Sequence, residues 1–257
     1  MPARCRYGVA MEFFDFLGKD QRYRRNSLNR LNKRHRFLVE PYRAEIDGSS
    51  VLDIGAYDGR WSYALSEAGA REVVALEARA ESMAEFSSYP AGPVKDRVRF
   101  VQGDVQDVLP RMIADGTRFE VVALFGFLYH VMDHYNLLKQ ISQLGPRLVI
   151  IDSEFAMSPR PVIRLVREKT DNDHNSIAHV PGQTKAPVGI PSKLALTWMA
   201  ASLGYGVEWA DWESLKPRER RGLDGYYTEP PGWKRRDTCA LRSVDGSPAP
   251  AADAADA

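Results

Sequence analysis

Two groups of residues in this chain have types and spacings suited to chemistry. The first is the run Gly55-Ala56-Tyr57-Asp58-Gly59, with Asp53 just ahead of it and Glu77 further on. The two glycines give a backbone that a ligand can approach closely, and a carboxylate at the tip of a following strand, Glu77, can accept from both hydroxyls of a ribose. Without a ligand, Glu77 is an ordinary exposed strand end. A dinucleotide site would present G-x-G-x-x-G to a pyrophosphate, which Asp53 and Asp58 would repel. Two acids suit instead a sugar-bearing ligand that also carries an ammonium and a sulfonium. The second group follows the apolar run at 119–125: Tyr129 and His130, with Glu154, His174 and His179 downstream. Imidazole titrates near about pH 6.5, so His130 can take a proton from a hydroxyl, or it can bond a strand-end carbonyl as a structural histidine. His130, Asp133 and His134 stand at i, i+3 and i+4, a spacing that can hold a divalent metal on a helix that starts early enough. An exposed His134 is the simpler reading, and no metal is expected. Cys5 and Cys239 lack C-x-x-C spacing and read as free thiols.

These residues need a frame. Residues 51–54 read as a strand that is apolar apart from Asp53, residues 59–69 as a helix with a glycine stop, and the stretch ending at Glu77 as a second strand. With this wording, VLDIGAYDGRWSYALSEAGAREVVALE, the chain resembles the class I S-adenosylmethionine-dependent methyltransferases, whose first motif is an acid followed by glycines in a strand-turn-helix setting. Tyr57 stands where that family often has its middle glycine. Within the family the chain looks most like a bacterial branch related to the tRNA wobble-uridine (5-carboxymethoxyuridine-type) methyltransferases, and the segment FGFLYH at 125–130 resembles the G-x-L-Y-H segment of that branch.

The resemblance implies an α/β fold: a doubly wound, seven-stranded Rossmann-like methyltransferase sheet of order 3-2-1-4-5-7-6, preceded by an N-terminal helical extension. It implies S-adenosyl-L-methionine as cofactor. Asp53, Gly55, Ala56, Gly59 and Glu77 would bind it from the first half, and Asp104, Val105, Phe125 and Tyr129 from the strands that follow. Asp104 would accept from the adenine amino group; it is also placed to cap the helix at 105–112. His130, Glu154 and His179 are the candidates for catalysis.

In chain order, residues 19–36 carry Lys19, Arg22, Arg24, Arg25, Arg30, Lys33, Arg34 and Arg36 against the single acid Asp20. Leu28, Leu31, Phe37 and Leu38 recur at near-helical spacing, so a basic amphipathic helix covers the core, caps the cofactor or meets an anionic substrate such as RNA phosphate. A third strand is expected at 98–101, a fourth at 119–125 and a fifth at 147–152. Asp133 caps a helix bearing Leu137, Leu138, Ile141 and Leu144. Residues 155–190 lose strand patterning and carry several prolines and glycines, which reads as a long functional loop, a substrate lid over the catalytic edge. Ser192 caps a helix expected to bury Leu194, Trp198, Met199 and Leu203. Strands at 207–212 and 238–244 close the sheet as an antiparallel pair, with a mobile loop at 216–236 between them. The domain reading is therefore a basic helical extension at 1–44, a methyltransferase domain at 45–244 with its lid at 155–191, and a disordered tail at 245–257.

Of the 257 residues, 44% are hydrophobic and 27% charged, enough for one large core. The formal net charge of +1 gives no global reason for nucleic acid binding. No apolar run reaches the roughly 18 residues of a membrane span, and the cytoplasm is the expected compartment. The expected function is methyl transfer to a hydroxyl oxygen of a small molecule or glycan. The alternatives are a tRNA wobble-uridine methyltransferase and a non-catalytic cofactor-binding protein; the sequence does not indicate an oligomeric state.

Overall fold

The computed structural model describes residues 12–19, 23, 25–212, 214–223, 227 and 232–244. The expected tail at 245–257 and the side chains of Cys5, Arg22 and Arg24 lie outside them. Strands β1 (Ser50–Ile54), β2 (Glu72–Glu77), β3 (Val98–Gln102), β4 (Val121–Phe125) and β5 (Leu148–Ala156) run parallel to one another. A separate hairpin follows, β6 (Ile163–Lys169) with β7 (Lys185–Pro191), and then β8 (Tyr205–Trp209) and β9 (Lys234–Ser243). The main sheet has the order β3-β2-β1-β4-β5-β9-β8, with β9 antiparallel to both neighbours. With the hairpin set apart, β8 and β9 are the sixth and seventh strands of the expected order.

β1 and β4 are buried along their whole length, because helices cover both faces of the sheet. Successive strand residues divide between two cores. Val51, Val73, Val121 and Leu148 point into one, which holds Leu31, Leu38, Trp61 and Leu65 from helices Arg25–Leu38 and Arg60–Glu67. Leu52, Val74, Val122 and Val149 point into the other, with Leu109, Leu137 and Leu196 from helices Val105–Ala114, His134–Gln143 and Lys193–Ala201. That alternation is the period-2 geometry of a strand seen from both sides. The N-terminal extension belongs to the first core, where Phe14 and Leu38 are fully buried.

Three expectations about local structure need correction. The stretch 155–190 is no loop: β5 continues to Ala156, and β6 and β7 pair from Ile163↔Pro191 to Lys169↔Lys185. Most of β6 is exposed, so it carries no buried alternation for a periodicity reading to detect. Trp198 is 61% exposed, and helix Lys193–Ala201 buries Ala195, Leu196 and Ala200 instead. The stretch 216–236 contains helix Pro217–Arg220 and the first residues of β9. Among the described residues no helix is long and apolar enough to cross a membrane.

Candidate active site

The carboxyl ends of β1 to β4 open into one cavity of about 600 Å³, within the size range of small-molecule and cofactor sites. Its walls come from the turn after β1 (Gly55, Ala56, Tyr57), the segments after β2 (Glu77, Arg79) and β3 (Gly103, Asp104, Val105), and the end of β4 with its following turn (Phe125, Phe127, Tyr129, His130). Asp173, His174, Asn175, Ser176, Ile177, His179 and Gln183, from the connection between β6 and β7, close over it.

The turn is built by close packing. Gly55 has φ +72°, and a Cβ there would stand 2.3 Å from the Phe127 ring, so only glycine fits beneath that ring. Tyr57, in place of a glycine, also has a positive φ of 54°, a conformation that costs a non-glycine residue on the order of 1–3 kcal/mol. Its surroundings hold it there. The Tyr57 N–H donates to Glu77 Oε2 at 2.9 Å, the Arg60 guanidinium lies 5.1 Å from the ring centroid, and the His174 ring lies 5.0 Å away. Glu77 Oε1 accepts from the Arg79 N–H at 2.9 Å. The carboxylate is therefore fixed in direction, with lone pairs on both oxygens left for ligand hydroxyls.

Asp53 and Asp58 do not line the cavity. Asp53 is 1% exposed and accepts from Ser62 Oγ at 2.6 Å. Burial pushes its carboxyl up to about 7 against that hydrogen bond, with the charges of Glu77 and Asp58 adding to the rise. Asp58 is fully buried, ion-paired with Arg60 at 2.7 Å and bonded by the Tyr23 hydroxyl. Both acids were expected to face a cationic ligand, yet their charges are dealt with inside the fold. Gly59 also lies off the cavity, with Phe86 and Phe100 occupying the space where its side chain would be. Ala56, Val105, Phe125 and Tyr129 line it. Asp104 does two things at once: Oδ1 caps helix Val105–Ala114 through the Gln106 N–H, and Oδ2 meets His179 Nδ1 at 3.2 Å.

The three catalytic candidates separate. His130 lies on the cavity wall, with Nδ1 2.7 Å from Glu168 Oε2 on β6. His179 stands with Asp104, at the β3 side of the cavity, and pairs there instead of joining His130. Glu154 is ion-paired with Lys234 on the adjacent strand β9 and does not line the cavity. His134 is buried rather than exposed; Nε2 meets the Gly189 carbonyl oxygen at 3.0 Å, and burial pulls its imidazole below the usual value against that bond. Asp133 is occupied as the cap of helix His134–Gln143 through the Asn136 N–H, so the metal triplet is not assembled.

Several cavity residues were not among the candidate site residues. Arg34 and Arg236 line the cavity and share Asp152 Oδ1, at 2.6 and 2.5 Å. Arg236 Nη2 also donates to the Tyr129 hydroxyl at 2.8 Å. Arg34 did have a positional clue, since it lies three residues past Leu31 and four before Leu38, on the stripe that packs inward. Arg79 Nη2 donates to the carbonyl oxygens of Thr170, Asn172 and Asn175, which ties the hairpin to the end of β2.

A seven-stranded α/β sheet with a glycine turn and a fixed carboxylate beside a nucleoside-sized cavity is the build of an S-adenosylmethionine-dependent methyltransferase. The chain belongs to the methyltransferase domain family, whose model matches residues 21–219. It is similar to the tRNA U34 carboxymethyltransferase of Campylobacter lari, 25% identical over 149 residues, which are 56% of this chain and 48% of that protein. The chain thus spans about half the length of that curated relative. Among solved structures it is similar to the N-terminal domain of EvdMO1 in the presence of S-adenosylhomocysteine and D-fucose, with a TM-score of 0.60 at 16% identity over 80% of this chain and 81% of that one. The DhpI complex with S-adenosylhomocysteine matches at 0.56 and 18%, over 89% and 93%. The magnesium protoporphyrin IX methyltransferase of Synechocystis, with S-adenosylhomocysteine bound, matches at 0.52 and 14%, over 90% and 94%. S-adenosylmethionine is the cofactor of this fold, and the cavity suits it in volume, in backbone access at Gly55 and in the hydroxyl acceptor at Glu77.

Proposed function

We propose that the protein transfers the methyl group of S-adenosylmethionine to a hydroxyl oxygen of a small molecule or glycan, with His130 as the general base. The observation that carries this reading is the His130–Glu168 contact of 2.7 Å on the cavity wall. When bound, the cofactor supplies a methyl group made electrophilic by its sulfonium. Glu77 would accept from the ribose hydroxyls and Asp104 from the adenine amino group, and Phe125 and Val105 would give the cradle its apolar surface. Glu168 would accept a hydrogen bond from His130 Nδ1–H, leaving the Nε2 lone pair to receive the acceptor's proton as its oxygen bonds to the methyl carbon and the methyl–sulfur bond breaks, its electron pair staying on the sulfur of the neutral thioether that leaves. The protein's part in this step is orientation and removal of one proton. Residues 155–191 act as the substrate lid, a strand hairpin in form.

The acceptor assignment is supported by the state of the basic helix. Lys33 Nζ donates to the Glu219 carbonyl at 2.9 Å, Arg34 is buried on Asp152, and Arg36 pairs with Glu12 at 3.0 Å. Each of these three cations has a partner within the protein, and Arg34 is buried. A tRNA acceptor is the second reading, favoured by the similarity to the tRNA U34 carboxymethyltransferase.

The two are separated by incubating the protein with cofactor labelled in the methyl group and with the small-molecule, glycan and tRNA fractions of one cell extract. Label should enter the small-molecule or glycan fraction as a base-stable ether. Label in the tRNA, with binding that weakens by about 0.7 to 0.9 log units per phosphate contacted for each log unit of salt, would replace this acceptor by RNA. Independently, Glu77→Ala should weaken S-adenosylmethionine binding by roughly tenfold or more, since a hydrogen bond to a charged group is worth about 1.5–3 kcal/mol. Calorimetry reads this directly, and an unchanged dissociation constant would make Glu77 a strand end that only orders its own turn.

A further inference from the structure

We propose that Glu168 is a positioning residue that makes the base complete only when the β6–β7 hairpin is docked over the cofactor cavity. This rests on the His130 reading above. His130 belongs to the main domain, in the short turn after β4, where its N–H donates to the Phe127 carbonyl at 2.9 Å. Its partner belongs to the hairpin. Glu168 Oε2 meets His130 Nδ1 at 2.7 Å and also accepts from the Ser176 N–H, in the β6–β7 connection, at 3.0 Å. The two side chains are 13% and 16% exposed, so the contact is mostly shielded from water.

A carboxylate in that place does two things to an imidazole: it selects the tautomer with the hydrogen on Nδ1, and it stabilises the imidazolium formed when Nε2 takes a proton. Burial works to raise the Glu168 carboxyl and is outweighed by the His130 hydrogen bond and charge, the Ser176 N–H and the Lys234 charge, so it stays below its ordinary value and ionised at neutral pH. Among the described residues, charged groups near the pair include Arg236, which donates to the Tyr129 hydroxyl beside His130, and Asp104 with His179, which reach it through Ser176.

The same connection is tied to the cofactor cradle. Arg79 holds the carbonyls of Thr170, Asn172 and Asn175 at 3.2–3.3 Å, and His179 holds Asp104 at 3.2 Å. The ties run from residues beside the cofactor, through the hairpin, to the base. Docking the hairpin therefore both covers the cavity and delivers the carboxylate to His130. An open hairpin leaves His130 with neither a fixed tautomer nor a counter-charge.

Glu168→Gln tests this, assayed with the labelled cofactor and the acceptor fraction that takes up label. Turnover should fall by about 10- to 100-fold, the size of loss known for the carboxylate partners that orient metal-bound histidines and expected here for the same orienting role. KM for the cofactor should stay within about twofold. The acid limb of the turnover profile should move to lower pH, because the imidazolium loses its carboxylate. Glu168→Asp should restore part of the rate. Hydrogen exchange in the full chain without acceptor gives a second readout: amides of residues 163–190 should exchange faster in Glu168→Gln than in the wild type. Unchanged turnover and an unmoved acid limb in Glu168→Gln, with His130→Ala inactive, would overturn the coupling while sparing the base. A rate loss with an unmoved acid limb and no rescue by aspartate would reduce Glu168 to a structural clamp and overturn it equally. An active His130→Ala would remove the reading beneath it.

Discussion

Asp152→Ala is expected to destabilise the fold by about 3–5 kcal/mol, the usual cost of breaking a buried ion pair from one side. Asp152 is fully buried at the middle of β5, opposite Phe125 in the neighbouring strand. Oδ1 takes both Arg34 and Arg236, and Oδ2 accepts from the Tyr227 hydroxyl at 2.6 Å and from Thr238 Oγ1 at 2.9 Å. One side chain thereby joins the N-terminal helix, β5 and β9. Removing it leaves two guanidinium groups in the interior without that shared counter-charge, and two hydroxyls without that acceptor. For a domain of this size a loss of 1 kcal/mol lowers Tm by roughly 2–4 °C, so thermal unfolding should show a fall of about 6–20 °C. Asp152→Asn keeps an oxygen for Tyr227 and Thr238, and it should lose less. Burial works to raise the Asp152 carboxyl, but the charges of Arg34 and Arg236 outweigh it and hold it below its ordinary value of 3.8. The sign follows: a depressed carboxyl contributes its stability in full above pH 3.8 and gives it up as pH falls through the lower native value. The gap between wild type and Asp152→Ala should therefore be widest near neutrality and narrow below about pH 4. A gap under about 1 kcal/mol at pH 7, or one that grows in acid, would mean that the arginines are satisfied by other groups.

The parts of the fold that read cleanly from the sequence are those whose environment repeats along the chain. β1, β2 and β4 are largely apolar on both faces because helices cover both, and they stand in the order that the family resemblance implies. The hairpin did not read at all. β6 is exposed over most of its length, and β7 contains Pro187, Gly189 and Pro191, so composition argued for a loop where cross-strand pairing makes a ribbon. Glu168 was illegible for the same reason, since its meaning depends on a register that brings β6 beside the turn after β4. Charge was easier to see than direction. Asp53 and Asp58 were visible as acids near a ligand turn, but Ser62 and Arg60, in the first turn of the next helix, decide that they face inward. His134 had a readable clue: with Leu137, Leu138 and Ile141 it forms a stripe at i, i+3, i+4 and i+7, and all four are buried.

His130→Ala should lower turnover by about 10² to 10⁴, the usual contribution of a positioned base, while S-adenosylmethionine binds almost as before. His130 touches Glu168 and the Tyr129 ring, at 2.7 Å and at a centroid distance of 4.1 Å. The carboxylate proposed for the ribose, Glu77, belongs to a different strand end and takes its bearings from Tyr57 and Arg79. Truncating the imidazole therefore removes the proposed proton acceptor without disturbing that carboxylate. The deficit should shrink as pH rises, because the acceptor hydroxyl then ionises more readily without help. A fall of 10³ corresponds to about 4 kcal/mol of transition-state stabilisation, at 1.36 kcal/mol per tenfold change, which is larger than the effect expected of any single cofactor hydrogen bond here. Tyr129→Phe is the neighbouring control. It keeps the ring against His130 and loses only the hydroxyl that accepts from Arg236 at 2.8 Å, so its cost should fall on stability and leave the pH profile in place. Normal turnover at saturating cofactor in His130→Ala, paired with weakened S-adenosylmethionine binding, would show that the ring supports the cradle. The base would then have to be sought in His174 or His179, which face the same cavity from the hairpin.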